Sequence, residues 1–82
     1  MARIDKKAMK RICKERNTVH DLVNATYDIF ELEGEVFFQL DTYGRTSREI
    51  PGKISQSIQL DRETAKYIIK LLADAFAFDE ED

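Results

Sequence analysis

The sequence contains few of the residues from which disulfides and metal sites are built. It has one cysteine, Cys13, and one histidine, His20, among 82 residues. A single cysteine cannot form an internal disulfide, and a structural zinc site needs about four ligands. We therefore expect no bound metal and no other cofactor, and we expect the cytoplasm as the location. Cys13 is interpreted as a small buried hydrophobic residue and His20 as a loop or surface residue.

Long apolar runs are absent as well. No stretch reaches the roughly 18 apolar residues of a membrane span, and the N-terminal residues MARIDKKAMK lack the apolar core of a secretory signal. There is no glycine-rich phosphate loop, and one histidine among dispersed acids gives no catalytic set. These absences predict a protein that is neither an enzyme nor a membrane protein. The length predicts one domain over residues 1–78, followed by an acidic tail at residues 79–82.

The charged residues are unevenly distributed, although the net charge is only −3. Residues 1–16 contain seven of the thirteen Lys and Arg residues and only two acids. Over residues 4–16, apolar and basic side chains separate onto opposite faces at about 100° per residue, which predicts an amphipathic helix. Its basic face is either a solvated surface or a strip that contacts phosphates. The residues predicted to contact nucleic acid here are Lys6, Lys7, Lys10, Arg11 and Lys14.

Residues 26–60 have the alternating pattern of a β-meander. Glu33 and Gly34 lie between two apolar runs, and a two-residue loop containing glycine is typical of a tight β-hairpin. A loop at these two residues fixes which side chains face each other across the hairpin. The predicted pairs are Leu32 with Glu35, Phe30 with Phe37, Ile29 with Phe38, and Tyr27 with Leu40.

The two faces of this hairpin differ in polarity. One face is almost wholly apolar, and its facing pair Ile29 and Phe38 is expected to lie in the core. The other face is mixed and carries Phe30 and Phe37, more apolar surface than one short chain is expected to cover. The C-terminal helix is predicted to carry a wide apolar stripe, which is also more apolar surface than one short chain is expected to cover. Together these surfaces predict a homodimer, in which a second copy of the chain buries them.

The remaining elements complete the predicted fold. Residues 17–25 fit either a short helix or helical turn, which we favour, or a connection into the first strand. Residues 54–60 alternate as a strand. Asp61 is a predicted N-cap, and the apolar spacing over residues 61–76 predicts a second amphipathic helix. The expected fold class is α+β. It consists of an N-terminal basic amphipathic helix, a three- to four-stranded antiparallel meander, and a C-terminal amphipathic helix packed on the sheet.

A polar connection, GRTSREIPGK at residues 44–53, holds two of the three glycines and the only proline. Its cations Arg45, Arg48 and Lys53 are candidate phosphate ligands. The alternative interpretation is an ordinary solvated turn, because polar loops commonly have no binding role.

The order of features from Glu31 to Leu72 resembles the positive-cofactor-four transcriptional coactivators and their bacterial and phage relatives. The matching parts are EGEVFFQLDTYG, then PGK, then SIQLDRETAKYIIKLL. Members of that family have a curved antiparallel sheet followed by one helix; they dimerise through the helix and bind single-stranded DNA on the sheet. The resemblance therefore implies single-stranded DNA binding, and it carries over to Tyr43 and Lys53.

This sequence departs from the family where the family sheet is basic. Glu33, Glu35 and Asp41 stand at those positions, and negative charge there opposes phosphate binding. Any bound nucleic acid is then expected to contact the basic residues of positions 6–14 and of positions 45–53.

Two functions follow from these patterns. The first is a small non-enzymatic module that binds single-stranded DNA or RNA, with Tyr43 and Phe37 as stacking surfaces. Transcription regulation in a phage or mobile element is one candidate setting. The alternative is a protein-interaction module, such as an inhibitor or regulator, that binds a partner through Glu33, Glu35, Asp41 and the acidic tail.

Overall fold

The computed structural model describes residues 1–44 and 53–78. Within these ranges it contains a four-stranded mixed sheet and one α-helix. The elements in chain order are β1 (Ala2–Arg3), a 3₁₀ turn (Lys6–Ala8), β2 (Ala25–Leu32), β3 (Glu35–Tyr43), β4 (Ile54–Leu60) and α1 (Arg62–Phe76). The strand order in the sheet is β1-β4-β3-β2. β1 runs parallel to β4, and the other neighbours are antiparallel.

The prediction of an N-terminal helix is wrong. Residues 4–16 contain only the 3₁₀ turn, and residues 9–24 form neither helix nor strand. Every side chain from position 10 to position 24 is exposed, including that of Cys13, which was expected to be buried. No surface therefore packs against the apolar face that a helix would present. Short helices are marginal in water without such packing, and like charges four residues apart, at Lys6, Lys10 and Lys14, would weaken one further.

The fold class is corrected accordingly. The predicted helical turn at residues 17–25 is also wrong, because that stretch is irregular until β2 begins at Ala25. The sheet is mixed rather than purely antiparallel, because β1 adds a short parallel strand beside β4. Among the described residues, α1 is the only α-helix. No helix in this part of the chain is long and apolar enough to cross a membrane.

The predicted hairpin register is confirmed. β2 and β3 pair from Leu32↔Glu35 to Ala25↔Thr42, with Ile29 facing Phe38 as expected. Glu33 and Gly34 form the connection, with φ values of 52° and 82°. Positive φ at both central residues is the mark of a type I′ turn, whose twist matches that of the two strands. The pattern of alternation and the glycine position therefore fix the same register.

The predicted core face is wrong. Tyr27 and Ile29, on the apolar face, are 70% and 62% exposed. Phe37, on the mixed face, is the only large apolar side chain that is buried among the described residues. Phe30 stacks against it with ring centroids 5.5 Å apart, and the guanidinium carbon of Arg3 lies 5.0 Å from its ring centroid. The N-terminal strand thus helps to cover the face that we expected to be spare.

The predicted N-cap of the C-terminal helix is confirmed. The Thr64 backbone N–H donates to Asp61 Oδ1 at 2.9 Å, at the start of α1. The last residue of α1 is Phe76. Its C-cap, Ala77, has a left-handed φ of 54°, and the Phe78 backbone N–H donates to the Ala73 carbonyl. At its first turn, the buried Thr64 hydroxyl donates to the Ile4 carbonyl at 3.4 Å. The helix is therefore tied to the N-terminal segment as well as to the sheet.

The two described glycines make a matched test of the hairpin. Gly34→Ala is expected to destabilise the fold by about 1–2 kcal/mol, because an L side chain is strained at positive φ. Neither glycine has a neighbouring atom within 4 Å of an added Cβ, so steric clash does not contribute. Gly44 does not have positive φ, and Gly44→Ala is expected to be neutral or slightly stabilising. Urea unfolding of both variants at one protein concentration measures the difference. Equal free energies of unfolding would contradict the turn assignment.

Candidate nucleic-acid interface

The candidate interface is the basic segment, which we define as residues 6–16. Its first residues are positioned by β1, which pairs Ala2 with Ile58 and Arg3 with Gln59. The Ile4 N–H continues this contact by donating to the Gln59 carbonyl at 3.1 Å. Because β1 is parallel to β4, the chain leaves the sheet at the end where β4 passes into α1.

Arg3 holds this junction together, and the sequence analysis assigned it no role. Its Nη2 donates to Asp61 Oδ2 at 3.2 Å, while its guanidinium also lies over the Phe37 ring. Both partners are distant in sequence, Asp61 by 58 residues. No local pattern could have identified these contacts. Arg3 is therefore a structural cation rather than part of the candidate interface.

The cations of the basic segment are exposed and have no ion-pair partner among the described residues. The segment contains six Lys and Arg residues and one Glu, a net charge of +5. All six basic side chains are exposed. Within residues 1–44 and 53–78, the one ion pair is that of Arg3 with Asp61. Lys6 Nζ lies 5.8 Å from the centroid of the Tyr67 ring, a cation–π contact. With respect to the described residues, these side chains can meet phosphates without first breaking an ion pair.

The chain that follows the 3₁₀ turn connects opposite ends and opposite edges of the sheet. It leaves near the hairpin end of the sheet, beside the start of α1, and it enters β2 at Ala25, which faces Thr42 at the opposite end and opposite edge. Residues 9–24 make this connection without helix or strand. The sequence predicted a basic helix, whereas the structure has an irregular basic segment.

Two further predicted residues lie together at one end of the sheet. Tyr43 ends β3 and is partly exposed, and it faces Ile54, which directly follows the exposed Lys53. The Tyr43 hydroxyl lies 2.9 Å from Thr26 Oγ1, which fixes the ring beside β2. The 3₁₀ turn lies beyond the other end of β4, about 20 Å away at strand spacing. Lys6 and Lys7 are therefore not adjacent to Tyr43 and Lys53. Arg45 and Arg48 lie outside the described residues.

A polar network on the mixed face occupies Asp41. Its carboxylate accepts from Gln39 Nε2 at 3.0 Å and from Ser57 Oγ at 2.5 Å. Gln59 Nε2 extends the network by donating to Gln39 Oε1 at 2.8 Å. The members face one another across β3 and β4, as Asp41↔Ser57 and Gln39↔Gln59. The register of β3 with β4 contains an irregularity between Thr42 and Tyr43, so alternation alone did not indicate this network.

The other predicted contact residues are separated by the fold. Glu33 lies in the hairpin turn and Glu35 directly after it, both exposed. Asp41 is six residues along β3 from Glu35, about 20 Å away, and its oxygens are already hydrogen-bonded. Phe37 is buried beneath Arg3 and beside Phe30, so its proposed role as a stacking surface is wrong.

The part of the chain that the structure describes contains no group of His, Cys, Asp and Glu side chains that could hold a metal ion. No protein family, no curated protein and no solved structure matches the chain. The resemblance to the positive-cofactor-four family therefore stays a prediction, and the argument for function depends on the geometry alone.

The junction at Asp61 predicts a pH dependence. The Thr64 backbone N–H, followed by the Thr64 side chain and the Arg3 guanidinium, holds the pKa of Asp61 below its ordinary value. The carboxylate therefore contributes stability above its ordinary pKa, and this contribution is lost as the pH falls through the lowered folded value. Asp61→Asn keeps a capping side chain but cannot titrate.

We expect the melting temperature of Asp61→Asn to fall less between neutral and acidic pH than that of the wild type. Circular dichroism melts at both pH values measure this. Other carboxylates titrate in both proteins, so the difference between the two falls is the relevant quantity. Identical falls in both proteins would show that the junction does not depend on the Asp61 charge.

Proposed function

We propose that this protein is a small non-enzymatic module that binds single-stranded DNA or RNA through the basic segment. The observation that carries the proposal is the exposure of six cations that have no acidic partner among the described residues. The charge of a nucleic-acid backbone attracts such cations, and binding is favoured by the release of counterions from the phosphates. The proposed setting inside the cell is the cytoplasm.

The overall net charge of −3 does not oppose this proposal. Charges in solution are screened over about 8–10 Å at physiological salt, so a bound strand responds mainly to the charge nearest to it. The basic segment has a local charge of +5. Asp41 lies on the sheet, where its carboxylate already accepts hydrogen bonds from two side chains.

The shape of the basic segment favours a flexible ligand over a duplex. Residues 9–24 have no regular structure, so the segment has no rigid element of the kind that enters a DNA groove. Tyr43 offers one partly exposed ring beside Lys53, and a base stacked on an aromatic ring contributes about 1–3 kcal/mol. A nucleic-acid strand that contacts both Tyr43 and the basic segment must be long enough to span the sheet.

A pair of double substitutions tests the role of the basic segment. Lys10→Gln with Lys14→Gln removes two cations four residues apart, and Lys66→Gln with Lys70→Gln makes the same change on α1. Fluorescence anisotropy with labelled single- and double-stranded oligonucleotides at several salt concentrations measures affinity. The first variant is expected to weaken binding of every base sequence and to flatten the log–log salt dependence by about 0.7–0.9 for each lost phosphate contact.

The α1 variant is expected to retain the wild-type affinity and salt dependence. Equal losses in the two variants would indicate a general charge effect rather than a site. Wild-type protein without measurable affinity for any oligonucleotide at low salt would overturn the proposal.

The alternative function, binding of a protein partner through acidic residues, predicts the opposite response at the hairpin. Glu33→Lys with Glu35→Lys reverses two exposed charges at the end of the sheet where the 3₁₀ turn lies. Under the proposal this variant binds oligonucleotides more tightly, because repulsion of phosphate is replaced by attraction. Weaker or unchanged oligonucleotide binding would favour the alternative, in which these acids steer a basic partner.

A further inference from the structure

The apolar face of the sheet is exposed to solvent. We define it as five large side chains on one side of three adjacent strands: Tyr27, Ile29, Val36, Leu40 and Ile58. Their exposed fractions range from 37% to 70%. They are contiguous, because Leu40 faces both Tyr27 and Ile58 across the strands. Tyr27 also stacks on Phe38, with ring centroids 5.7 Å apart. Patches of this kind on a small protein usually mark an interaction site.

The helix α1 does not cover this face. An open groove of about 880 Å³ separates the hairpin from the first half of α1. Its apolar lining comes from the sheet, at Ile29, Val36, Phe37, Phe38 and Leu60, and from the helix, at Ala65 and Ile69. The charged side chains of Arg62 and Lys66 also line it. From Ile69 the helix continues as an exposed apolar stripe through Leu72 and Phe76, between 45% and 67% exposed, and the Phe76 ring stacks on Phe78 with centroids 5.5 Å apart. The chain thus presents an apolar concavity and an apolar ridge side by side.

The accessible surface of the chain is larger than that of a compact monomer. It measures 7958 Å², whereas a folded monomer of 9.6 kDa is expected to expose about 5,100 Å². Part of this excess belongs to the irregular residues 10–24, which are all exposed. A standard interface buries about 800 Å² on each partner, so the excess leaves room for such an interface on the sheet as well.

We propose that the apolar face binds the same face of a second copy of this chain, so that the protein is a two-fold homodimer. An isologous interface needs a patch that is complementary to itself, and two apolar faces meet this condition. The groove and the α1 stripe continue the patch, so the stripe of one copy can enter the groove of the other. The inference does not depend on the nucleic-acid proposal, because it uses none of the basic segment.

The face is a better interface than the edge of the sheet. β2 is an edge strand, and the hairpin pattern directs the Ile29 N–H outward, since hydrogen-bonded and non-bonded pairs alternate along β2 and β3. The Asp28 carboxylate accepts from this N–H at 2.9 Å. A charged side chain that caps an edge N–H opposes strand-to-strand association. The five side chains of the face include no cation, and the cations Arg62 and Lys66 line only the adjoining groove. The face itself therefore offers no partner to a phosphate.

Two substitutions on β2 locate the interface. Ile29 and Leu32 are equally exposed, at 62%, but lie on opposite faces of the strand. Sedimentation equilibrium of the wild-type chain at tens of micromolar is expected to give the mass of two chains. Ile29→Lys is expected to give one chain, and Leu32→Lys, the matched control, is expected to give two. A monomeric wild type, or an Ile29→Lys variant that remains a dimer, would overturn the proposal.

The milder pair Ile29→Thr and Leu32→Thr keeps the test valid if lysine prevents folding. Circular dichroism identifies a variant that does not fold. Threonine retains the strand preference of a β-branched residue, and Ile29→Thr is expected to raise the dimer dissociation constant about tenfold or more, with Leu32→Thr near the wild type. The melting temperature of the wild type is also expected to rise with protein concentration. Equal dissociation constants in the pair, or a melting temperature independent of concentration, would contradict the inference.

Discussion

The contact of Arg3 with Phe37 and Asp61 is the point at which distant parts of the chain meet. One guanidinium lies over the only buried aromatic ring of the described residues and bonds to the N-cap of α1. As an exposed ion pair it contributes about 0–1 kcal/mol, and a cation over a ring adds about 0.5–1 kcal/mol. Its importance is therefore geometric, because it joins β1, β3 and α1. The basic segment begins only three residues later, so its starting point depends on the same contact.

The elements that could be predicted from the sequence are those specified by neighbouring residues. Glu33 and Gly34 fix the hairpin because only a two-residue turn with positive φ brings the two alternating runs into register. Asp61 marks the start of α1 because its side chain caps an N–H three residues later. In both places the signal and the structure it specifies lie within a few residues of each other.

The predictions that were wrong needed contacts from distant parts of the chain. Residues 4–16 have a helical pattern, but no surface covers its apolar side, and the first residues pair instead with β4 near Gln59. Alternation also shows which side chains share a face of the sheet without showing which face is covered. Phe37 is buried through Arg3, whose position no local pattern specifies. For the candidate site, the sequence identified the cations but did not predict that their backbone is irregular.

The two faces of the sheet differ in whether their side chains find partners within one chain. On the mixed face, Gln39, Asp41, Ser57 and Gln59 bond to one another. Among the described residues, no buried side-chain nitrogen or oxygen lacks a hydrogen-bond partner. The polar groups are thus satisfied within one chain, whereas the apolar side chains of the opposite face remain in contact with water.

This asymmetry has a physical consequence for stability. Apolar burial contributes about 25 cal/mol per Å², and ordering each residue costs about 1–2 kcal/mol of backbone entropy. A sheet that leaves its most apolar face in water gains little to offset this cost. A register specified as tightly as that of β2 and β3 is maintained most readily when one face of the strands is buried. Since α1 leaves the apolar face open, no described element buries it. The two-fold dimer that we propose would bury this face against a surface of the same chemistry.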